Sequence, residues 1–319
     1  MKAAIVTAPG LTPVYGDFPA PEVTGDAQLI SVSAAALSQL VKSRASGAHY
    51  SSDGLFPFIA GVDGVGRLPS GARVYFIMPS APYGAMAEAV AISPGLCIPV
   101  PDALDDVTAA ALANPGMSSW AALTERANFV AGETVLINGA TGTSGQLAVQ
   151  IAKHLGAKKI IATGRNPAAL KALATLGADV TISLTEEGAG LEERFRQAFA
   201  AGVDVVLDYL WGPSAESILI AAAKSGATGK PIRFVQIGAI GGESISLPGA
   251  VLRSSSIEMK GSGLGSVSFP GLMRSITGVL QAAAKTPFAI AIHAVPLSDV
   301  AAAWTSADNG QRIVFTMGE

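Results

Sequence analysis

The rhythm of apolar and polar positions changes near residue 134. Before it, KAAIVTA, QLISVSAAAL, ARVYFIM, GAMAEAVAI and LCIPVP are short runs rich in β-branched residues, separated by Gly and Pro. They predict the strands of an all-β unit with small helical inserts. DDVTAAALANPGMSSWAALTERA then turns helical, with Asp105 or Asp106 placed to cap its start. From Thr134 onward strand and helix alternate: TVLIN, SGQLAVQIAKHLGA, KIIAT, NPAALKALATLGA, VTISL, ERFRQAFAAG, DVVLDYL, SAESILIAAAKSG and RFVQIGA, with SIEMKGS closing the series. Such alternation predicts parallel strands joined by crossover helices, the doubly wound α/β arrangement. The tail is mixed, with a helix near GLMRSITGVLQAAAK, the apolar run FAIAIHAVPL, a helix over 300–309 and a last strand RIVFTM. It is expected to return and complete the N-terminal β unit.

Composition narrows what such a chain can do. A length of 319 residues fits two domains, and 50% hydrophobic against 14% charged residues allows an extensive interior without disulfides or metals. The net charge of −3 comes with no block of like charges, which argues against nucleic acid or an anionic membrane surface as partner. The single cysteine, Cys97, cannot form an internal disulfide, so the composition is compatible with a reducing cytoplasm. MKAAIVTAPG reads as a first strand, not a signal peptide, and no apolar run approaches the ~20 residues of a membrane helix. A soluble cytoplasmic protein acting on a small molecule is expected.

Candidate chemistry starts at GATGTSG, three glycines at intervals of three between a strand and a helix. Gly139 can make the tight turn, Gly142 lets the backbone approach a pyrophosphate, and Gly145 lets the helix lie close on the strand. The helix start offers free amides and the positive end of its dipole. Thr141, Thr143 and Ser144 add hydroxyls. Strand before, helix after and an alternating series beyond make this a dinucleotide cradle. The second strand ends in IIATGRN, with no acid between residues 159 and 166 to hold a ribose 2′-hydroxyl. Gly164, Arg165 and Asn166 stand there instead, and Arg165 can pair with a 2′-phosphate, so NADPH is expected over NADH. Lys171 is a second candidate for that phosphate.

With PFIAGVDGVGRLPSGARVYF, YGAMAEAVAI, IPVPDALDDVTAAALANPGMSSWAAL, VLINGATGTSGQLAVQIAKHLGA, RNPAALKALATLGAD, FVQIGA and IEMKGS in this order, the chain resembles the medium-chain dehydrogenase/reductase superfamily. Within it, the resemblance is to the zinc-free quinone oxidoreductase (zeta-crystallin-like) branch. It implies a GroES-like β-barrel catalytic domain from residues 1–114 and 263–319 beside a Rossmann NADP-binding domain of residues 115–262. It also implies a cleft where nicotinamide meets substrate, and a homodimer or homotetramer. Gly61, Val62 and Asp63 stand where zinc-dependent relatives carry Gly-His-Glu. One cysteine rules out a four-cysteine zinc lobe within a single chain, so no metal is expected. Cys97 is read as a space-filling strand residue.

Without metal, hydride transfer suits an acceptor already polarised by conjugation, a quinone or an enone. Ser38-Gln39-Leu40-Val41 falls where the family's asparagine-containing motif is expected, and lacks its Asn and Asp. Ser38 and His49 are candidate substrate-pocket residues. Tyr50, close to where relatives place a substrate-contacting tyrosine, is the leading proton-donor candidate, with packing as the alternative role. Trp211 could wall the pocket or join the core. Asn114 and Ser118 are placed beside the nicotinamide, and Gly238, Ala239 and Ile240 at the carboxyl end of the sheet, where ligands bind. The expected activity is NADPH-dependent reduction of quinones or α,β-unsaturated carbonyls. The alternatives are a zinc-free reductase or dehydrogenase of carbonyls or alcohols, and an NADPH-binding redox sensor with little turnover.

Overall fold

In the computed structural model, which describes residues 1–48, 54–186, 188–225, 230–306 and 310–318, the alternating stretch forms one parallel sheet. Its strands are β1 (Thr134–Asn138), β2 (Lys159–Gly164), β3 (Val180–Ser183), β4 (Val205–Asp208), β5 (Ile232–Gln236) and β6 (Ile257–Gly261). They lie in the order β3-β2-β1-β4-β5-β6, each pair of neighbours parallel. All five residues of β1 and all four of β4 are buried, as in a sheet covered on both faces. The crossover helices are α1 (Thr143–His154), α2 (Pro167–Leu176), α3 (Ala189–Ala200) and α4 (Gly212–Lys224). Leu136, Ile161, Val206 and Phe234 from the strands pack with Phe195, Phe199, Ile218 and Leu219 from α3 and α4 in one core cluster. Strand order reverses direction between β1 and β4, which makes the carboxyl ends of these two strands the switch point where an open parallel sheet binds ligands.

Two compact units divide the chain: Met1–Asn114 with Ala283–Glu319, and Pro115–Ala282. In the first, Ile292–Pro296, Arg312–Thr316, Gln28–Ala36, Asp63–Arg67, Arg73–Ile77 and Cys97–Pro99 lie side by side, and Ala89–Ile92 also pairs with Gln28–Ala36. A three-stranded sheet of Val14–Asp17, Lys2–Val6 and Phe58–Ile59 completes this GroES-like β domain. The strand Arg312–Thr316 runs antiparallel to Gln28–Ala36, with Val314 opposite Ala36 and Phe315 opposite Ala35. Phe315 is buried in a core with Val6, Ile30, Phe76 and Met86.

Residues 263–282, expected in the β unit, belong to the parallel-sheet unit instead. Helix Phe269–Lys285 explains this. Its Gly278 has no room for a Cβ, which would lie 2.5 Å from the Trp120 indole, and its Val279 fills the space a side chain at Gly116 would take. Arg274 donates to both carboxylate oxygens of Glu125 at 3.1 and 2.9 Å. The helix expected through Ala127 is α-helical over Asp106–Ala121 and continues as a π-turn, Ala122–Arg126. Asp105 is its cap, accepting from the Thr108 amide at 2.8 Å. Of the helix expected over 300–309, Val300–Thr305 is helical and Ser306 is its C-cap, while 307–309 lie outside the described residues. Among the described residues no helix is long and apolar enough to cross a membrane.

Candidate functional site

Each cradle glycine is required for a different reason. Gly139 has φ +85°, and a Cβ there would press on Leu210 at 2.8 Å. Gly145 is packed so tightly that a Cβ would lie 2.4 Å from the Gly139 carbonyl oxygen, so only hydrogen lets α1 rest on the turn. Gly142 differs: its φ of −81° suits any residue, and nothing lies within 4 Å of where a Cβ would be. Its missing side chain leaves space open above the turn. The first bond of α1 runs from the Gln146 amide to the Gly142 carbonyl at 2.9 Å, and no side chain caps the helix. The amides of Thr143, Ser144 and Gly145 therefore have no helical acceptor and sit at the positive helix end. This arrangement fits a pyrophosphate.

Gly164, at the end of β2, touches the cradle, since a Cβ there would lie 2.4 Å from the Thr141 methyl group. Arg165 follows, exposed and without a hydrogen-bond or ion-pair partner among the described residues. Asn166 is engaged in the fold, because its Oδ1 accepts from the Ala169 amide at 3.1 Å and caps α2.

Beneath the cradle lies a polar network that sequence reasoning missed. Asn138, Thr163 and Asp208, at or next to the ends of β1, β2 and β4, are each 0% exposed. The Thr163 hydroxyl donates to Asn138 Oδ1 at 2.7 Å and accepts from the Gly139 amide at 3.1 Å. Asn138 Nδ2 donates to Asp208 Oδ1 at 2.8 Å and to Ser214 Oγ at 2.9 Å. Asp208 in turn accepts from the amides of Leu210 and Trp211 at 3.1 Å each. Burial raises the Asp208 carboxyl above its ordinary range, opposed by the Asn138 bond and these amides. A signal was present in the sequence: TVLIN, KIIAT and VVLD are apolar runs that each end on a polar residue, and a buried polar residue needs partners.

Tyr209 follows directly. Its hydroxyl lies 2.7 Å from Ser119 Oγ, and burial pushes the phenol up to about 12. Ser118, the expected ligand neighbour, donates to the Pro115 carbonyl at 2.7 Å. Gly238 is again a close approach, its absent Cβ 2.7 Å from the Tyr209 carbonyl oxygen, and Ile240 just beyond is 77% exposed. Trp211, expected at a pocket wall or in the core, is half-buried: its ring packs against the core of the parallel-sheet unit and tilts on Phe234, centroids 6.2 Å apart.

In the β unit, Ser38 Oγ accepts from the Val41 amide at 3.1 Å and caps helix Gln39–Ala45, so its expected pocket role has a structural counterpart. Asn114 Nδ2 donates to Asp63 Oδ1 at 2.9 Å, and the Tyr75 hydroxyl donates to Asp63 Oδ2 at 2.7 Å. Burial raises Asp63, while these bonds and the charge of Arg312 oppose the shift. Nε and Nη2 of Arg312 are buried without a hydrogen-bond partner among the described residues. Cys97 is half-buried and burial pushes its thiol up, the opposite of an activated nucleophile. His49 and Tyr50 lie outside the described residues. A hollow in the β unit is lined by Val41, Phe56, Phe58 and Tyr83.

Known proteins carry the same plan. Residues 145–278 match the family described as zinc-binding dehydrogenase. Over 99% of both chains, this one is 31% identical to the Emericella nidulans protein "Probable NADPH-dependent quinone reductase tdiC". The chain belongs to the quinone oxidoreductase branch of the medium-chain dehydrogenase/reductase superfamily. A second relative, "2-methylene-furan-3-one reductase" of Solanum lycopersicum, is 32% identical over 52% of this chain and 47% of its own length. The quinone oxidoreductase of Thermus thermophilus, whose structures include a complex with NADPH, superposes with a TM-score of 0.82 at 26% identity, covering 99% of this chain and 100% of that one.

The family description names zinc, and the side chains present decide whether one fits. Among the described residues no three His, Cys, Asp or Glu side chains come together as a ligand set. The matched stretch 145–278 contains one histidine, His154, and no cysteine. The described residues thus offer no set of three ligands such as a catalytic zinc uses; His49 lies outside them.

Proposed function

We propose that this protein is an NADPH-dependent reductase of quinones or α,β-unsaturated carbonyls that works without a metal. The observation that carries the reading is the cradle. Gly139 and Gly145 are occupied by close packing, while Gly142 stands open under unpaired helix amides. Gly139, Gly142, Gly145 and the amides of Thr143 and Ser144 would hold the pyrophosphate, with Thr141 beside them. Gly164 and Arg165 would hold the 2′-phosphate side, where the free guanidinium can form charge-assisted bonds. Asn166 and Lys171 stand nearby. Ser118, Asn114 and the turn Gly238, Ala239, Ile240 would border the nicotinamide.

Bound NADPH would supply the hydride, which passes with its two electrons to the acceptor; for an enone it goes to the β-carbon. A proton then reaches the α-carbon of the enone, or the oxygen of a quinone, from solvent or a hydroxyl. Tyr50 is the proposed hydroxyl and His49 its neighbour. The Tyr209 hydroxyl, 2.7 Å from Ser119 Oγ, would orient groups. Similarity to a quinone reductase over the whole chain, and to an enone reductase over half of it, supports the acceptor class. We place the protein in the cytoplasm and expect a homodimer or homotetramer, with β6 exposed at one edge of the parallel sheet as a surface for a second copy.

The test is NADPH consumption against a panel of quinones, enones, saturated ketones and secondary alcohols. Turnover with quinones or enones and none with saturated ketones is expected. Oxidation of secondary alcohols with NADP, or tight NADPH binding with no turnover on any acceptor, would overturn the reading.

A further inference from the structure

We propose that Thr163 is a positioning residue for the dinucleotide, acting through the Gly139 amide and Asn138 to hold the cradle at the switch point. The inference rests on the NADPH reading and adds residues that its glycine motif does not contain.

Three turns meet at the carboxyl ends of β1, β2 and β4, and all three are fastened to one buried cluster. The cradle turn is held where the Gly139 amide donates to Thr163 Oγ1 at 3.1 Å and the Ala140 amide to the Thr163 carbonyl at 2.8 Å. The turn bearing Gly164 and Arg165 follows Thr163 directly. The turn after β4 is held where Asp208 accepts from the Leu210 and Trp211 amides. Asn138 joins the sides, accepting from Thr163 and donating to Asp208 and Ser214. Every one of these bonds lies in the unit Pro115–Ala282.

Two features show that this cluster sets geometry, not merely cohesion. Thr163, Asn138 and Asp208 are wholly buried, yet their side-chain bonds end on backbone groups of turns as well as on one another. Such a cluster fixes where an amide points, because a buried donor left unpaired is costly. Trp211, moreover, keeps φ +58° and ψ −158°, a conformation that only glycine adopts freely. Its amide bonds to Asp208 hold it there, so the turn after β4 is constrained by the same carboxylate that Asn138 orients.

Threonine is well chosen for the central place. Its hydroxyl donates once and accepts once. Valine would fill the same volume and do neither, and serine would keep both bonds. Thr163→Val and Thr163→Ser therefore separate the hydroxyl from the packing.

The experiment measures NADPH binding by fluorescence titration of the wild type and both variants, well below each melting temperature, alongside kcat and KM for NADPH. Thr163→Val is expected to raise the NADPH Kd and KM about tenfold and leave kcat at saturating NADPH within twofold. Thr163→Ser is expected to bind within threefold of the wild type. Ser214→Ala removes an outer bond of the network and is expected to raise Kd about threefold, which keeps a readout should Thr163→Val not fold. If folded Thr163→Val binds as the wild type does, or if Thr163→Ser is as weak as Thr163→Val, the positioning role is wrong; if Thr163→Val does not fold, Ser214→Ala at wild-type affinity has the same meaning. A wild type that does not bind NADPH would instead overturn the cofactor reading.

Discussion

Arg165 stands just past β2, its guanidinium without a partner among the described residues, where an acid would select the unphosphorylated cofactor. Arg165→Ala should raise the NADPH Kd about tenfold or more while changing NADH by less than about twofold, since a charge-assisted bond contributes ~1.5–3 kcal/mol. Parallel titrations with the two cofactors check this, and equal losses would remove Arg165 from phosphate recognition. Tyr209 makes a prediction about pH. Its folded phenol is raised to about 12 from 10.0, so the stabilisation is complete below pH 10 and is lost as pH rises toward 12. Stability should fall by up to ~2–3 kcal/mol across that window. Urea melts of wild type and Tyr209→Phe at stepped pH would show it, the variant losing less.

Helices and strands show which parts of the site the sequence announces. The glycines of GATGTSG, the run TVLIN and the absent acid in IIATGRN are local signals, and the structure builds a cradle from them. What depends on partners distant in sequence was not announced. Trp211 packs on Phe234, a strand away in the sheet, whereas Asn166 and Ser38 cap helices through amides three residues on, a local role that competes with ligand contact. Asn138 and Thr163 are 25 residues apart, and their bond exists because β1 and β2 pair in register. Sequence alone puts residues 263–282 in the wrong unit because amphipathic spacing shows that a helix packs, not on what. At this scale, Gly142 and Gly145 give a paired test. Gly142→Ala should leave the melting temperature within about 2 °C, because its Cβ meets nothing, yet raise the NADPH Kd about tenfold or more by filling the phosphate space. Gly145→Ala should lower both stability and affinity, since overpacking costs ~1–3 kcal/mol. If Gly142→Ala binds normally, the open space is not the phosphate site.

The whole molecule comprises two units with separate cores. Scanning calorimetry should resolve two overlapping transitions, and NADPH at a hundredfold excess over Kd should stabilise the one belonging to Pro115–Ala282 by ~2.7 kcal/mol. A single transition that moves as a whole would show that the units unfold together. The strand Arg312–Thr316 has a consequence for how the protein is made. It is a central strand of the sheet whose other members come largely from the first hundred residues, and its Phe315 fills their core. On the ribosome, the β unit must wait for the rest of the chain to be translated, on the order of tens of seconds at typical rates. Throughout that interval the strand edge at Ala34–Ala36 lacks its partner, while residues 115–282 emerge complete. That edge is therefore open from the synthesis of Gln28–Ala36 until Arg312–Thr316 has been made.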